Sequence, residues 1–118
     1  MQLRISTRSL DGVLIVDFAG RIIFGEESAY LRDFVKKLIA EKHNLVLNLS
    51  GVNYIDSGGL GTLVALYTTA RNNGSSIKLA NLTQRVGDLL QVTKLVTIFD
   101  VYENEEKAVD SFHKGAAA

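Results

Sequence analysis

The chain has 118 residues, with thirteen basic side chains balanced by thirteen acidic ones, so it carries no global field for nucleic acid or an anionic membrane. Cysteine is absent, which excludes disulfides, thiol catalysis and thiolate metal sites. A length and apolar content of this order fit one domain that buries about two-thirds of its unfolded surface, and no apolar stretch approaches the ~20 residues of a membrane span.

The opening Met1-Gln2-Leu3-Arg4 lacks the apolar core of a signal peptide, and a cytoplasmic location is expected. Residues 3–9 alternate Leu3, Ile5 and Thr7 with Arg4, Ser6 and Arg8, the pattern of a half-exposed strand. Asp11-Gly12 is a hairpin signal, and residues 13–18 supply a more buried partner strand that Gly20 is expected to end. An apolar loop, Arg21-Ile22-Ile23-Phe24-Gly25, follows. Two readings of it stand: it tucks under the next helix, or it forms a docking surface.

A helix is expected over about 27–42. Tyr30, Leu31, Phe34, Val35, Leu38 and Ile39 form one face, and Arg32, Asp33, Lys36, Lys37 and Glu41 the other. Residues 45–49 are apolar on both faces and read as a central strand. The run from Leu60 to Ala70 repeats Leu60, Leu63, Val64 and Tyr67 at helical spacing, and Asn73-Gly74 is its stop. Residues 77–80 form a short strand. Thr83 caps a helix to about Val92, with Val86, Leu89 and Leu90 inward. Residues 98–101 read as a last strand. Asn104 caps a final helix with Ala108, Val109 and Phe112 inward, and 115–118 are read as a frayed tail after a domain over 1–114. Strand–helix–strand crossovers enforce parallel neighbours. The expected fold is therefore α/β: a mixed sheet of about five strands with about four helices, the antiparallel hairpin at one side.

Between the central strand and the second helix lies Tyr54-Ile55-Asp56-Ser57-Gly58-Gly59-Leu60-Gly61. Three glycines in four positions are unusual at a helix start, since each costs roughly 1 kcal/mol relative to Ala. Nucleotide motifs fail here: Gly59-Leu60-Gly61 would need a glycine where Val64 stands, and a P-loop would need a lysine that is absent. The hydrolase elbow needs glycine at the position of Ile55. His43 and His113 end predicted helices and read as exposed caps, not as bases for Ser57. No metal-ligand cluster, cofactor motif or self-contained catalytic constellation is read from the sequence, so an enzyme is not expected. What is left is a hydroxyl at a helix N-terminus between Asp56 and two glycines. It reads either as a structural cap or as a phosphoacceptor, because free N–H groups and the helix dipole favour an added phosphate.

Asp56-Ser57-Gly58-Gly59-Leu60-Gly61, preceded by Leu47-Asn48-Leu49-Ser50-Gly51-Val52 and followed by an apolar helix, resembles the signature of the STAS domain. This is the fold of bacterial anti-sigma-factor antagonists, also found as a cytoplasmic module of sulphate transporters. The resemblance extends over almost the whole chain, including Gly20 and Thr83. It implies that Ser57 is phosphorylated by an anti-sigma factor that is also a serine kinase. The unphosphorylated antagonist would hold that partner, the phosphorylated one would release it, and a serine phosphatase would reset the cycle. It implies no cofactor and no direct nucleic-acid or membrane partner. Asp56, Gly58, Gly59, Leu60 and Gly61, with Ile23 and Phe24 of the apolar loop, would form the partner-binding surface. Two departures from the family pattern stand out. Gly58 replaces a frequent Ser or Thr, leaving Ser57 as the sole acceptor. Ile23 replaces a common acidic residue, with Glu26 and Glu27 the carboxylates available from the next turn. The rival expectation is a STAS scaffold or accessory subunit that does not switch, of the stressosome or lipid-transporter kind.

Overall fold

Asp11 and Gly12 both take positive φ, 51° and 79°, and close a two-residue hairpin between β1 (Leu3–Leu10) and β2 (Val13–Ile22). That left-handed pair matches the right-handed twist of the strands it joins. In this computed structural model, which describes residues 1–117, helices and strands then alternate. The order is α1 (Glu26–Ala40), β3 (Leu45–Ile55), α2 (Ser57–Asn72), β4 (Ile77–Ala80), α3 (Gln84–Val92), a 3-10 turn (Leu95–Thr97), β5 (Asp100–Tyr102) and α4 (Glu105–Ala117). The expected tail at 115–118 begins within α4, and Ala118 lies outside the described residues.

The sheet runs β1-β2-β3-β4-β5, with β1 antiparallel and every later neighbour parallel. Right-handed crossovers stepping in one direction place their helices on one face of a sheet. Accordingly Leu31 and Val35 of α1, Leu63 and Leu66 of α2, and Val86 and Leu90 of α3 share one core with Val16, Leu47 and Leu79. The last helix covers the opposite face: Ala108 and Val109 pack on Val13, Ile15, Val46 and Ala80. β3 lies in the middle, and Leu45, Val46, Leu47 and Leu49 are sealed from water on both sides. Where α4's apolar cover stops, Arg8 bridges the layers. Its guanidinium meets Asp17 at 2.8 Å and Glu105, in the first turn of α4, at 2.7 Å.

Three boundaries differ from the sequence expectation. Gly20 does not end β2; it sits inside the strand, between two register shifts against β3. Its φ is +122°, and a Cβ there would come within 2.0 Å of the Gln2 carbonyl oxygen, so glycine carries the strand through a bulge. β3 continues six residues past Leu49, because the extended β2 goes on pairing with it through Arg21↔Tyr54 and Ile22↔Ile55. The last strand begins at Asp100 because the 3-10 turn occupies 95–97 and buries Phe99 edge-on against Tyr67, with ring centroids 5.4 Å apart.

Candidate functional site

The extensions of β2 and β3 bring two parallel strand ends, Ile22 and Ile55, side by side. From there one chain enters the 23–25 loop and the other enters α2. Asp56 joins the two exits. Its N–H donates to the Ile22 carbonyl at 3.2 Å, and its carboxylate Oδ1 accepts the Gly59 N–H at 2.8 Å as the N-cap of α2. Both carboxylate oxygens also lie 3.0 Å from the Phe24 N–H. That N–H foremost, and then the one of Gly59, holds the Asp56 carboxyl below its ordinary range against a smaller opposing effect of burial.

Because Asp56 is the cap, Ser57 is not: it is the first residue of α2 and is exposed. Its surroundings form an open groove of about 480 Å³ between α1 and α2. The walls are Phe24, Gly25, Ser28 and Arg32 on one side and Ser57, Gly58, Gly61, Thr62 and Ala65 on the other. Phe24, 79% exposed, stands at its mouth. Neither histidine lines it: His43 follows α1 and His113 lies within α4. Among the described residues there is no group of three or more side chains suited to a metal ion.

The three residues of the apolar stretch divide. Ile22 belongs to β2 and is fully buried. Ile23 is half-buried, and its carbonyl accepts both the hydroxyl and the N–H of Ser28, at 2.6 and 3.1 Å, so the loop is built into the start of α1. Phe24 is 79% exposed. The tucking reading describes Ile22 and, in part, Ile23, and it does not describe Phe24.

The glycines divide too, and here the sequence expectation needs correction. A Cβ on Gly59 would come within 2.1 Å of the Ile22 carbonyl oxygen, and one on Gly58 within 2.6 Å of Phe24 Cβ. Their bareness serves the approach of α2 to the chain beneath it. Gly59 is buried and Leu60, 8% exposed, belongs to the core, so neither offers surface to a partner. Gly61 is exposed, with open space around the place of a Cβ. The surface expected of the motif reduces to Ser57, the edge of Gly58, Gly61 and Phe24, with Asp56 holding them in place.

Glu26 and Glu27 do not replace the missing acidic residue, since neither lines the groove. Glu27 is buried and accepts the Gln2 N–H at 2.9 Å, tying α1 to the start of β1. The sequence reading missed Ser28 and Arg32 on the α1 wall. Their four-residue spacing puts them on one helix face, a signal that the apolar pattern of α1 obscured. It also missed Arg21 and Arg85, whose guanidinium carbons lie 4.8 and 5.4 Å from the ring centroid of Tyr54.

An exposed hydroxyl on the first residue of a helix has free backbone N–H groups and a favourable dipole behind it. The Ser57 hydroxyl takes no part in the cap, which Asp56 makes with the Gly59 N–H. The STAS domain family model matches residues 4–108 of the chain. The chain is 29% identical to the anti-sigma-B factor antagonist of Bacillus subtilis, over 92% of its own length and 99% of that protein's. It is 27% identical to the anti-sigma F factor antagonist of Paenibacillus polymyxa, over 92% and 94% of the two lengths. Among solved structures, an anti-sigma factor antagonist from Mycobacterium paratuberculosis superposes with a TM-score of 0.79 at 22% identity, covering 92% of each chain, which shows a shared fold.

Proposed function

The chain belongs to the STAS domain family, and on that premise we propose that it is an anti-sigma-factor antagonist switched by phosphorylation of Ser57. Unphosphorylated, it docks its anti-sigma factor, a serine kinase, on the surface made by Phe24, the Ser57 turn and Gly61. The kinase supplies ATP and transfers the γ-phosphoryl group to the Ser57 oxygen, with the hydroxyl proton passing to a base on the kinase. Phosphorylation places about −1.5 to −2 charges at the mouth of the groove, close to the ionised Asp56. A closely packed partner would have to desolvate that charge, and it lets go. A serine phosphatase restores the hydroxyl. The chain acts by binding and carries out no catalysis itself.

One observation carries this reading. Asp56 does the capping, so the Ser57 hydroxyl is exposed and surplus to the fold. The names of the two Bacillus and Paenibacillus relatives support the general role. The test is calorimetric affinity for the serine kinase of the same organism, with melting curves as control. Ser57→Ala should bind like the wild type and resist release by ATP. Ser57→Asp should bind at least about tenfold more weakly, about 1.4 kcal/mol. If both variants bind like the wild type with ATP present, the switch is wrong. One observation favours the rival reading of a non-switching STAS scaffold: among the described residues, no carboxylate lines the groove around Ser57. That reading would then take its place.

A further inference from the structure

Outside the Ser57 groove, three elements bring a tyrosine and two arginines together. Arg21 of β2 faces Tyr54 across the strand pairing, and its guanidinium carbon lies 4.8 Å from the ring centroid. Arg85 of α3 reaches the same ring at 5.4 Å. Both arginines are exposed, and neither forms an ion pair with a described carboxylate. Arg21 donates only a 3.3 Å hydrogen bond to the side-chain oxygen of Gln2.

The fold gives Arg85 a contact with the Tyr54 ring and no ion pair with a described carboxylate. Arg85 is the second residue of α3, whose first turn holds no acidic side chain, and the helix dipole disfavours a cation there. A guanidinium held over an aromatic ring can still direct N–H groups to an incoming carboxylate. Beside the pair opens a groove of about 400 Å³ lined by Tyr54, Arg85, Val86, Asp88, Leu89 and Val92, among others. Val92 is 81% exposed, the most exposed of the large apolar side chains. Tyr54 precedes Asp56 by two residues and Arg21 precedes Phe24 by three, so these two residues of the patch are carried by the same two chain segments as the Ser57 surface.

We propose that Arg21, Tyr54 and Arg85 form a second contact for the same partner, receiving an acidic segment of the anti-sigma factor. Its carboxylates meet the two guanidinium forks, and a neighbouring apolar side chain lies over Leu89 and Val92. Asp88, on the groove wall, repels a carboxylate placed too deep, and the two arginines set the register. The proposal rests on the docking reading above and adds the chemistry of what docks. The contact lies apart from Ser57, so it holds the partner in place and does not itself switch.

The test is calorimetric affinity of the intact chain for the serine kinase of its organism at low and high salt. Arg21→Gln/Arg85→Gln is measured beside Ser57→Asp. At low salt the double variant should bind at least about tenfold more weakly than the wild type, with an unchanged melting temperature because both side chains are exposed. At high salt the gap should narrow, as screening removes the attraction that the variant lacks. Wild-type affinity in the double variant, with Ser57→Asp weakened, overturns the acidic contact and leaves the switch standing. A weakened double variant with Ser57→Asp binding like the wild type supports the contact and removes the switch. A loss that is the same at both salt concentrations also overturns the proposal, since packing on Tyr54 would then be what the variant lost.

Discussion

The carboxylate of Asp56 receives the backbone N–H of Phe24 at 3.0 Å on each of its oxygens. Phe24 is 32 residues away in the chain, and its side chain is 79% exposed. One acidic residue therefore caps α2 and also sets the position of the exposed ring at the mouth of the groove.

Asp56→Ala should loosen both at once. Loss of the cap alone costs about 1 kcal/mol, and the freed Phe24 N–H adds to it. The folded-state pKa of Asp56 is lowered, so its contribution is full above the ordinary carboxylate value. It fades as pH falls below about 4 and through the folded value. Melting curves should show a wild-type advantage over Asp56→Ala at pH 7 that shrinks at pH 3. A pH-independent difference would mean that the ionised carboxylate is not what matters.

Gly59→Ala and Gly61→Ala should separate sharply, although the glycines are two residues apart in one helix turn. The new methyl at 59 would meet the Ile22 carbonyl, a backbone atom that cannot swing away, and overpacking of this kind costs about 1–3 kcal/mol. At 61 the methyl enters open space, and the better helix former should add up to about 1 kcal/mol. Thermal melting decides between them. Equal losses would contradict the reading that Gly59 alone is held against β2.

Phe24→Ala should leave the melting temperature almost unchanged, since exposed positions usually shift stability within about 0.5 kcal/mol. Its affinity for the serine kinase should fall at least about tenfold, about 1.4 kcal/mol. Intact binding would remove Phe24 from the docking surface. A large loss of stability would show that the ring packs in solution.

Amide exchange should be slowest in β3, at Val46 and Leu47, which are covered by helices on both faces of the sheet and by strands on both edges. β1 is an edge strand with one unpaired side, and its amides should exchange faster. Better protection of β1 than of β3 would contradict the strand order.

The elements themselves were legible in the sequence because their signals are local. Asp11-Gly12 carries the hairpin in its own backbone preferences. The 45–49 run declares a buried central strand by being apolar on both faces, and Thr83 and Asn104 mark helix starts by accepting N–H groups three residues on, from Val86 and Lys107. The fold class and the STAS signature around Ser57 could be read from such segments one at a time. The roles of residues within the signature could not. Asp56 and Ser57 are both favoured cap residues, and Phe24's distant N–H fixes Asp56 in the capping place. Gly59 and Gly61 look equivalent until β2, lengthened by its bulge at Gly20, passes beneath one and not the other. Arg21 and Arg85 are ordinary surface cations 64 positions apart until the sheet and α3 set both against Tyr54. Local backbone preference and apolar periodicity decide which segments become strands and helices. Which atom lies against which depends on packing between segments distant in the chain, and that only the folded structure decides.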